Sequence, residues 1–230
     1  MLPSSKWLAV SFAFVLAAGS PVRADFLKGT VNGLGSQTQG EITGGYYVGS
    51  ISWSQSGNSS VPWAGNPTFY TFCIETSQDV YLGGTYTYQT RTLNDAPIPG
   101  AGMGTSKAIQ ISRMWAADHA SLGTDPTKNA AFQVAIWDIL GESIPFTVNS
   151  TLQNQANTYI ADSTTSGPLA NLVALTNGSS QDQIMELGSG WSVTPDGNIV
   201  GAPVPPSSLL ALSGLLPVAG YVRLRRRSAA

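Results

Sequence analysis

Two side chains carry the covalent potential of this chain, and both sit in apolar sequence. Cys73, the only cysteine, lies in Phe69-Tyr70-Thr71-Phe72-Cys73-Ile74, a run so apolar that its thiol is expected to be buried. Sulfur is both a good nucleophile and a good leaving group, so this position could form an acyl bond and surrender it. Gln133 shares a helical face with Ala130, Ile136, Trp137 and Leu140, because residues three and four apart align. A carboxamide buried there without a partner would cost roughly 1–3 kcal/mol, so something must meet it. The bland alternative is that Cys73 is a small core hydrophobe and Gln133 hydrogen-bonds backbone. His119, the only histidine, follows Asp118. A Cys–His hydrolase would need it beside Cys73 with an orienting acid, but no local cysteine-protease signature accompanies either residue, and a surface histidine near a helix C-terminus is the simpler reading. One Cys and one His exclude a Cys/His zinc site and an intrachain disulfide; no metal and no cofactor is expected.

The elements that must position these groups follow from periodicity. From Gly29 to about Leu93 short alternating runs predict strands at Tyr46 to Trp53, Phe69 to Ile74 and Tyr81 to Leu93, with turns at Gly44-Gly45, Ser56-Gly57-Asn58 and Gly83-Gly84. After the Pro- and Gly-rich stretch Asn94 to Gly104 the period changes. Three helices are expected: one capped by Ser106 and ending at Leu122, one from Pro126 to Leu140 with Asp125 as N-cap and Gly141 as its stop, and a weaker one from Thr151 to Asp162. Past Gly167 come a segment of uncertain type, a strand at Asp182 to Leu187 and another at Trp191 to Val193. The fold class is α+β, a mostly antiparallel β-sheet body with about three helices packed against it.

Composition and charge placement bound the function. Of 230 residues 42% are hydrophobic and only 10% charged, and 25 Gly with 14 Pro favour turns over a helical bundle. Between Asp25 and Ala202 five basic residues face all 13 acidic ones, which makes nucleic acid an improbable partner. The ends are different. Lys6 precedes the apolar run Trp7 to Ala18, and Val22-Arg23-Ala24 offers small residues for cleavage after Ala24, so residues 1–24 read as a signal peptide. An exported body at 25–196 and a linker at 197–208 follow. The linker holds Val204-Pro205-Pro206-Ser207; an apolar helix at 209–222 and a basic tail at 223–230, with Arg223, Arg225, Arg226 and Arg227, complete the chain. Fourteen apolar residues cover about 21 Å as a helix, short of the roughly 30 Å hydrocarbon core. That suits a transient anchor, with the arginines kept cytoplasmic.

The order of motif, apolar helix and basic end resembles the PEP-CTERM sorting tail of Gram-negative bacteria, in which an exosortase is thought to process the protein. Here the Glu of the motif is missing, Pro206 or Val204 standing in its place. Phe72-Cys73-Ile74 followed by Phe132-Gln133-Val134-Ala135-Ile136-Trp137 resembles the paired signature of bacterial Cys-Gln thioester domains over about residues 46 to 190. The resemblance implies that the Cys73 sulfur attacks the Gln133 carboxamide, that ammonia leaves, and that Trp137 covers the pair. Sequences with this tail often carry a later Gln-Asp segment, here Gln181-Asp182-Gln183, for which no role is assigned.

Together these features lead us to expect an exported surface or extracellular-matrix protein, transiently membrane-anchored and then at the cell surface or outside. Its partners would be an exosortase-type enzyme, the membrane through the C-terminal helix, and a surface or matrix target bound covalently through the thioester. A noncovalent structural or carbohydrate-binding matrix protein of the same fold is the alternative, and a Cys hydrolase comes last. The chain is not expected to be an enzyme beyond single-turnover thioester chemistry.

Overall fold

A computed structural model describes residues 25–34, 47–56 and 68–201. The signal peptide, the motif at Val204 to Ser207, the apolar helix 209–222 and the four arginines lie outside the described residues. Six strands close into an antiparallel barrel: β1 (Phe26–Gly33), β2 (Ile51–Gln55), β3 (Thr68–Cys73), β4 (Thr85–Arg91), β5 (Leu172–Thr176) and β6 (Gln183–Glu186), in the order β1-β2-β3-β6-β5-β4. The fold is thus α+β with a mostly antiparallel sheet, as expected. The sheet is closed, however, because two strands from beyond the helices complete it.

Alternation explains most of the strands. In β4, Tyr88 and Thr90 are buried while Thr85, Thr87 and Gln89 are exposed, a period of two that sends one side chain in every pair to the interior. Trp53 of β2 fills the barrel, stacked on Phe69 of β3 at 5.9 Å and edge-on to Tyr88 at 5.6 Å. The expected strand at Tyr46 to Trp53 is observed as Ile51–Gln55, and that at Tyr81 to Leu93 as Thr85–Arg91.

Three helices, α1 (Gly104–Leu122), α2 (Pro126–Leu140) and α3 (Ser150–Ser163), cover one outer side of the barrel. Phe72 projects outward from β3 and meets Trp115 of α1 at 5.5 Å and Phe132 of α2 at 5.1 Å; Phe132 in turn meets Tyr159 of α3 at 5.6 Å. α2 lies at the centre of this layer, with every residue from Asn129 to Trp137 buried. Its ends are those the sequence predicts: the Asp125 carboxylate accepts from the N–H groups of Thr127 and Lys128, and Gly141 takes the left-handed cap at φ 73°. α1 differs. It begins at Gly104 with Met103 as an N-cap that makes no side-chain bond, so Ser106 lies inside the helix. The preceding loop fixes that start instead, through Met103 N–H donating to Ala96 O at 2.7 Å.

Beyond the barrel, β7 (Trp191–Val193) pairs with β8 (Ile199–Gly201) in a small ribbon. Residues 197–201, read from the sequence as the start of a linker, belong to the folded body. Ile199 is buried and its N–H donates to the Asp25 carboxylate at 2.8 Å, while the Thr90 hydroxyl donates to Gly197 O. No helix among the described residues is long and apolar enough to cross a membrane.

Candidate functional site

The site forms at the end of the barrel where β1 and β3 finish and β2 and β6 begin. Cys73 closes β3, directly opposite Gln183 of β6. Ile74 N–H donates to Asp182 O, so the hydrogen-bonding groups of Cys73 point the other way, toward β2. β2 starts only at Ile51, whose partner is Thr71, and offers no ladder residue to Cys73. Gln133 supplies the missing partner from α2. Its Oε1 accepts from Cys73 N–H and its Nε2 donates to Cys73 O, both at 2.7 Å. A carboxamide presents the same donor and acceptor as a peptide group, so it continues the ladder where the strand has left. Gly49 makes the approach possible: at φ 123° it turns the chain against α2, and a Cβ there would stand 3.3 Å from Asn129.

The sequence-predicted pair therefore converges, but through the Cys73 main chain. The sulfur itself meets two other carboxamides. Sγ donates to Gln181 Oε1 at 2.9 Å, and Gln183 Nε2 lies 3.5 Å from Sγ. Gln183 Oε1 accepts from the Thr71 hydroxyl at 2.9 Å, which accepts from the Trp53 indole N–H at 2.8 Å. Gln183 Nε2 also donates to Gln181 O, and Gln181 Nε2 to Glu75 O at 2.8 Å. The Gln181-Asp182-Gln183 segment, without a role in the sequence, thus holds the thiol on both sides. A signal existed: Gln181 and Gln183 alternate at a strand's period with Met185, and carboxamides that share a face with an apolar side chain need buried partners.

Asp182, between them, is fully buried. Its carboxylate accepts from Asn177 N–H and Ile98 N–H, each at 2.6 Å, while its own N–H donates to the Glu75 carboxylate at 2.9 Å. Burial first, and the neighbouring Glu75, push its pKa up to about 7 against the pull of those two N–H donors. Burial likewise pushes the Cys73 thiol up to about 12, so the thiol is protonated at neutral pH.

A cavity of about 290 Å³ opens onto the pair, with Cys73, Gln133 and Gln181 among its lining. Trp137 walls it and packs edge-on against Phe146 at 5.9 Å; its indole N–H is buried without an acceptor among the described residues. Tyr81 and Leu82, both about two-thirds exposed, and Asp79 stand around its mouth. His119 belongs elsewhere. It stacks on Trp115 at 4.2 Å and contacts Phe72 on the outer, helix-covered side of β3, with Nδ1 3.7 Å from Glu186; burial lowers its pKa. The hydrogen-bond partners of the Cys73 sulfur are carboxamides, with no imidazole among them.

Among the described residues no cluster of three His, Cys, Asp or Glu could hold a metal ion. Comparison of this chain with protein-family models, with curated proteins and with solved structures finds no match.

Proposed function

We propose that this is an exported attachment protein whose Cys73 forms an internal thioester with a neighbouring glutamine and passes the acyl group to an amine on a surface or matrix target. The observation that carries the reading is the seating of the only thiol between buried carboxamides beside a cavity. Of those carboxamides Gln183 is favoured as the acyl donor, because it is the cross-strand partner of Cys73 and its side chain lies on the same face. Gln133 then acts as the clamp that holds the Cys73 backbone in place.

The reaction balances without a cofactor. Sγ attacks the Gln183 carboxamide carbon, the C–N bond breaks, and the thiol proton leaves with the nitrogen as ammonia. Later a target amine attacks the same carbon, the C–S bond breaks, and the sulfur takes a proton from the amine. The raised thiol pKa suits a latent bond, since a buried site disfavours free thiolate as a leaving group until a proton arrives with the nucleophile. The Asp79 carboxylate at the mouth would draw cationic amines toward the cavity. Processing of a PEP-CTERM-like tail by an exosortase would bring the body to the surface.

Intact mass and methylamine exposure test this. The expected protein is lighter by one ammonia, takes up methylamine on Gln183 and frees the thiol, whereas Cys73→Ala and Gln183→Ala keep full mass and stay unlabelled. A wild-type protein of full mass that takes no label would overturn the reading, and label found on Gln133 would return the acyl role to α2.

A second reading, noncovalent carbohydrate binding, has its own observation. A cleft of about 570 Å³ on the outer side of β2 and β3 is lined by Ser50, Ser52, Thr124, Asn129, His119 and the 61% exposed Tyr70; among the described residues its lining has no acidic or basic side chain apart from that imidazole, whose pKa is lowered. Neutral hydrogen-bonding groups beside an exposed ring suit a saccharide. Retention of the protein on neutral polysaccharide, abolished by Tyr70→Ala, would support it; identical retention of the variant would remove it.

A further inference from the structure

We infer that the Thr71 hydroxyl, oriented by the Trp53 indole, is the donor that stabilises the oxyanion when the thioester forms and when it is broken; this rests on the thioester reading above. The assignment follows from donor bookkeeping in a buried chain. An indole nitrogen can only donate, so the 2.8 Å contact from Trp53 Nε1 occupies a lone pair of Thr71 Oγ1. The hydroxyl's one proton is then free for Gln183 Oε1, 2.9 Å away. The Gln181 carbonyl, which can only accept, settles which end of the Gln183 carboxamide is which, since the end 3.1 Å from it must be the nitrogen. Its oxygen faces Thr71, and its nitrogen faces the sulfur at 3.5 Å, with a further bond to Gln181 O.

Both halves of that orientation serve the reaction. As Sγ adds to the carbon, negative charge develops on Oε1, where a preoriented hydroxyl already points in surroundings that exclude water: Thr71 and Gln183 are fully buried and Trp53 is 1% exposed. The departing group is the nitrogen 3.5 Å from the sulfur, and the thiol proton, which rests on Gln181 Oε1, turns from that oxygen to the nitrogen as ammonia leaves. In aminolysis the same oxygen becomes the oxyanion again and Thr71 donates to it again. Trp53 touches no reacting atom. It acts as a positioning residue, fixed in the barrel by Phe69 at 5.9 Å and Tyr88 at 5.6 Å.

The test compares the full-length exported protein with Thr71→Val, Thr71→Ser and Thr71→Ala, following intact mass and the rate of methylamine uptake, with circular dichroism as the check on folding. Thr71→Val keeps the shape and loses the hydroxyl; methylamine uptake should slow about 100-fold or more, the effect of removing one oxyanion donor. Thr71→Ser keeps the hydroxyl and should stay within a few-fold of wild type, a rescue that a purely packing role would not produce. Thr71→Ala serves where the valine variant does not fold. A folded Thr71→Val or Thr71→Ala that takes up methylamine at the wild-type rate overturns this inference and leaves the thioester standing. A wild-type protein of full mass that takes no label overturns the thioester, and the inference with it.

Discussion

At the scale of the residue, the division of labour among four glutamine and cysteine side chains decides what Cys73 can do. Gln133 spends both polar atoms on the Cys73 main chain, so its removal leaves two buried backbone groups unpaired, each worth about 1–3 kcal/mol. Gln133→Leu should therefore lower unfolding stability by about 2–5 kcal/mol in urea denaturation, a loss well above that of an ordinary surface change; a shift below about 1 kcal/mol would mean the two bonds contribute little. Gln133 was legible as a buried carboxamide in need of a partner, because helical periodicity places it on an apolar face. Which atoms it would meet was not. A carboxamide satisfies a strand end as readily as it approaches a thiol, and the choice depends on where β2 begins, a matter of turn geometry at Gly49. Cys73 was legible as buried. The carboxamides at its sulfur come from β6 and the residues just before it, more than a hundred positions later, and only barrel closure brings them there.

At the scale of the element, local punctuation was readable and long-range pairing was not. α2 carries its own signals in Asp125, Pro126 and Gly141, and they hold. Asp125→Ala removes the carboxylate that accepts from Thr127 and Lys128 N–H and should cost about 1 kcal/mol, read as a lower denaturation midpoint. β5 left no such trace: all five of its residues are buried, so the alternation that marks a strand with one wet face is missing. The turn between β5 and β6 and the loop before α1 are joined by one buried carboxyl, Asp182, whose partners are Asn177 N–H and Ile98 N–H. Its folded pKa stands near 7, against about 4 in an unfolded chain. Between those values the folded state holds a proton that the unfolded state has released, so this group makes stability fall as pH rises from about 4 to 7. Asp118, pushed up to about 6 by burial and Asp162, acts in the same direction, while the lowered pKa of His119 acts in the opposite one. The difference between wild type and Asp182→Asn isolates the carboxyl, with Glu75 and Arg91 as the charged groups nearest in effect. Denaturation curves at pH 4.5 and pH 7.5 (about half a unit inside the window's lower end and about half a unit beyond its upper end) should show a smaller decline for the variant; equal declines would show that Asp182 does not titrate in this range.

At the scale of the whole molecule, the two ends of the folded body meet. Asp25, the first residue after the expected cleavage site, accepts through its carboxylate from Ile199 N–H, and its carbonyl accepts from Thr90 N–H at 2.8 Å. The first described residue and β8 therefore lie side by side, on the side of the β7–β8 ribbon. A chain ended after Asp196 loses β8, the buried Ile199 and its bond to Asp25, and should melt several degrees below one ended after Gly201; equal melting would make the ribbon ornamental to the body. The same convergence bears on the tail. Ala202 to Ala230 contains the Val204-Pro205-Pro206-Ser207 motif, an apolar stretch and four arginines, a composition that the acidic body does not share. If that stretch is an address and not a further piece of the body, then deleting residues 203–230 leaves every described contact intact, because the last of them is the pairing of Trp191 with Gly201. The shortened protein should fold with an unchanged melting temperature and shift from the membrane and surface fractions of expressing cells into the periplasm or medium. Stability and distribution are separate readouts. An unchanged distribution with unchanged melting would remove the sorting role from the tail, and a fall in melting temperature would place part of those residues in the body's core.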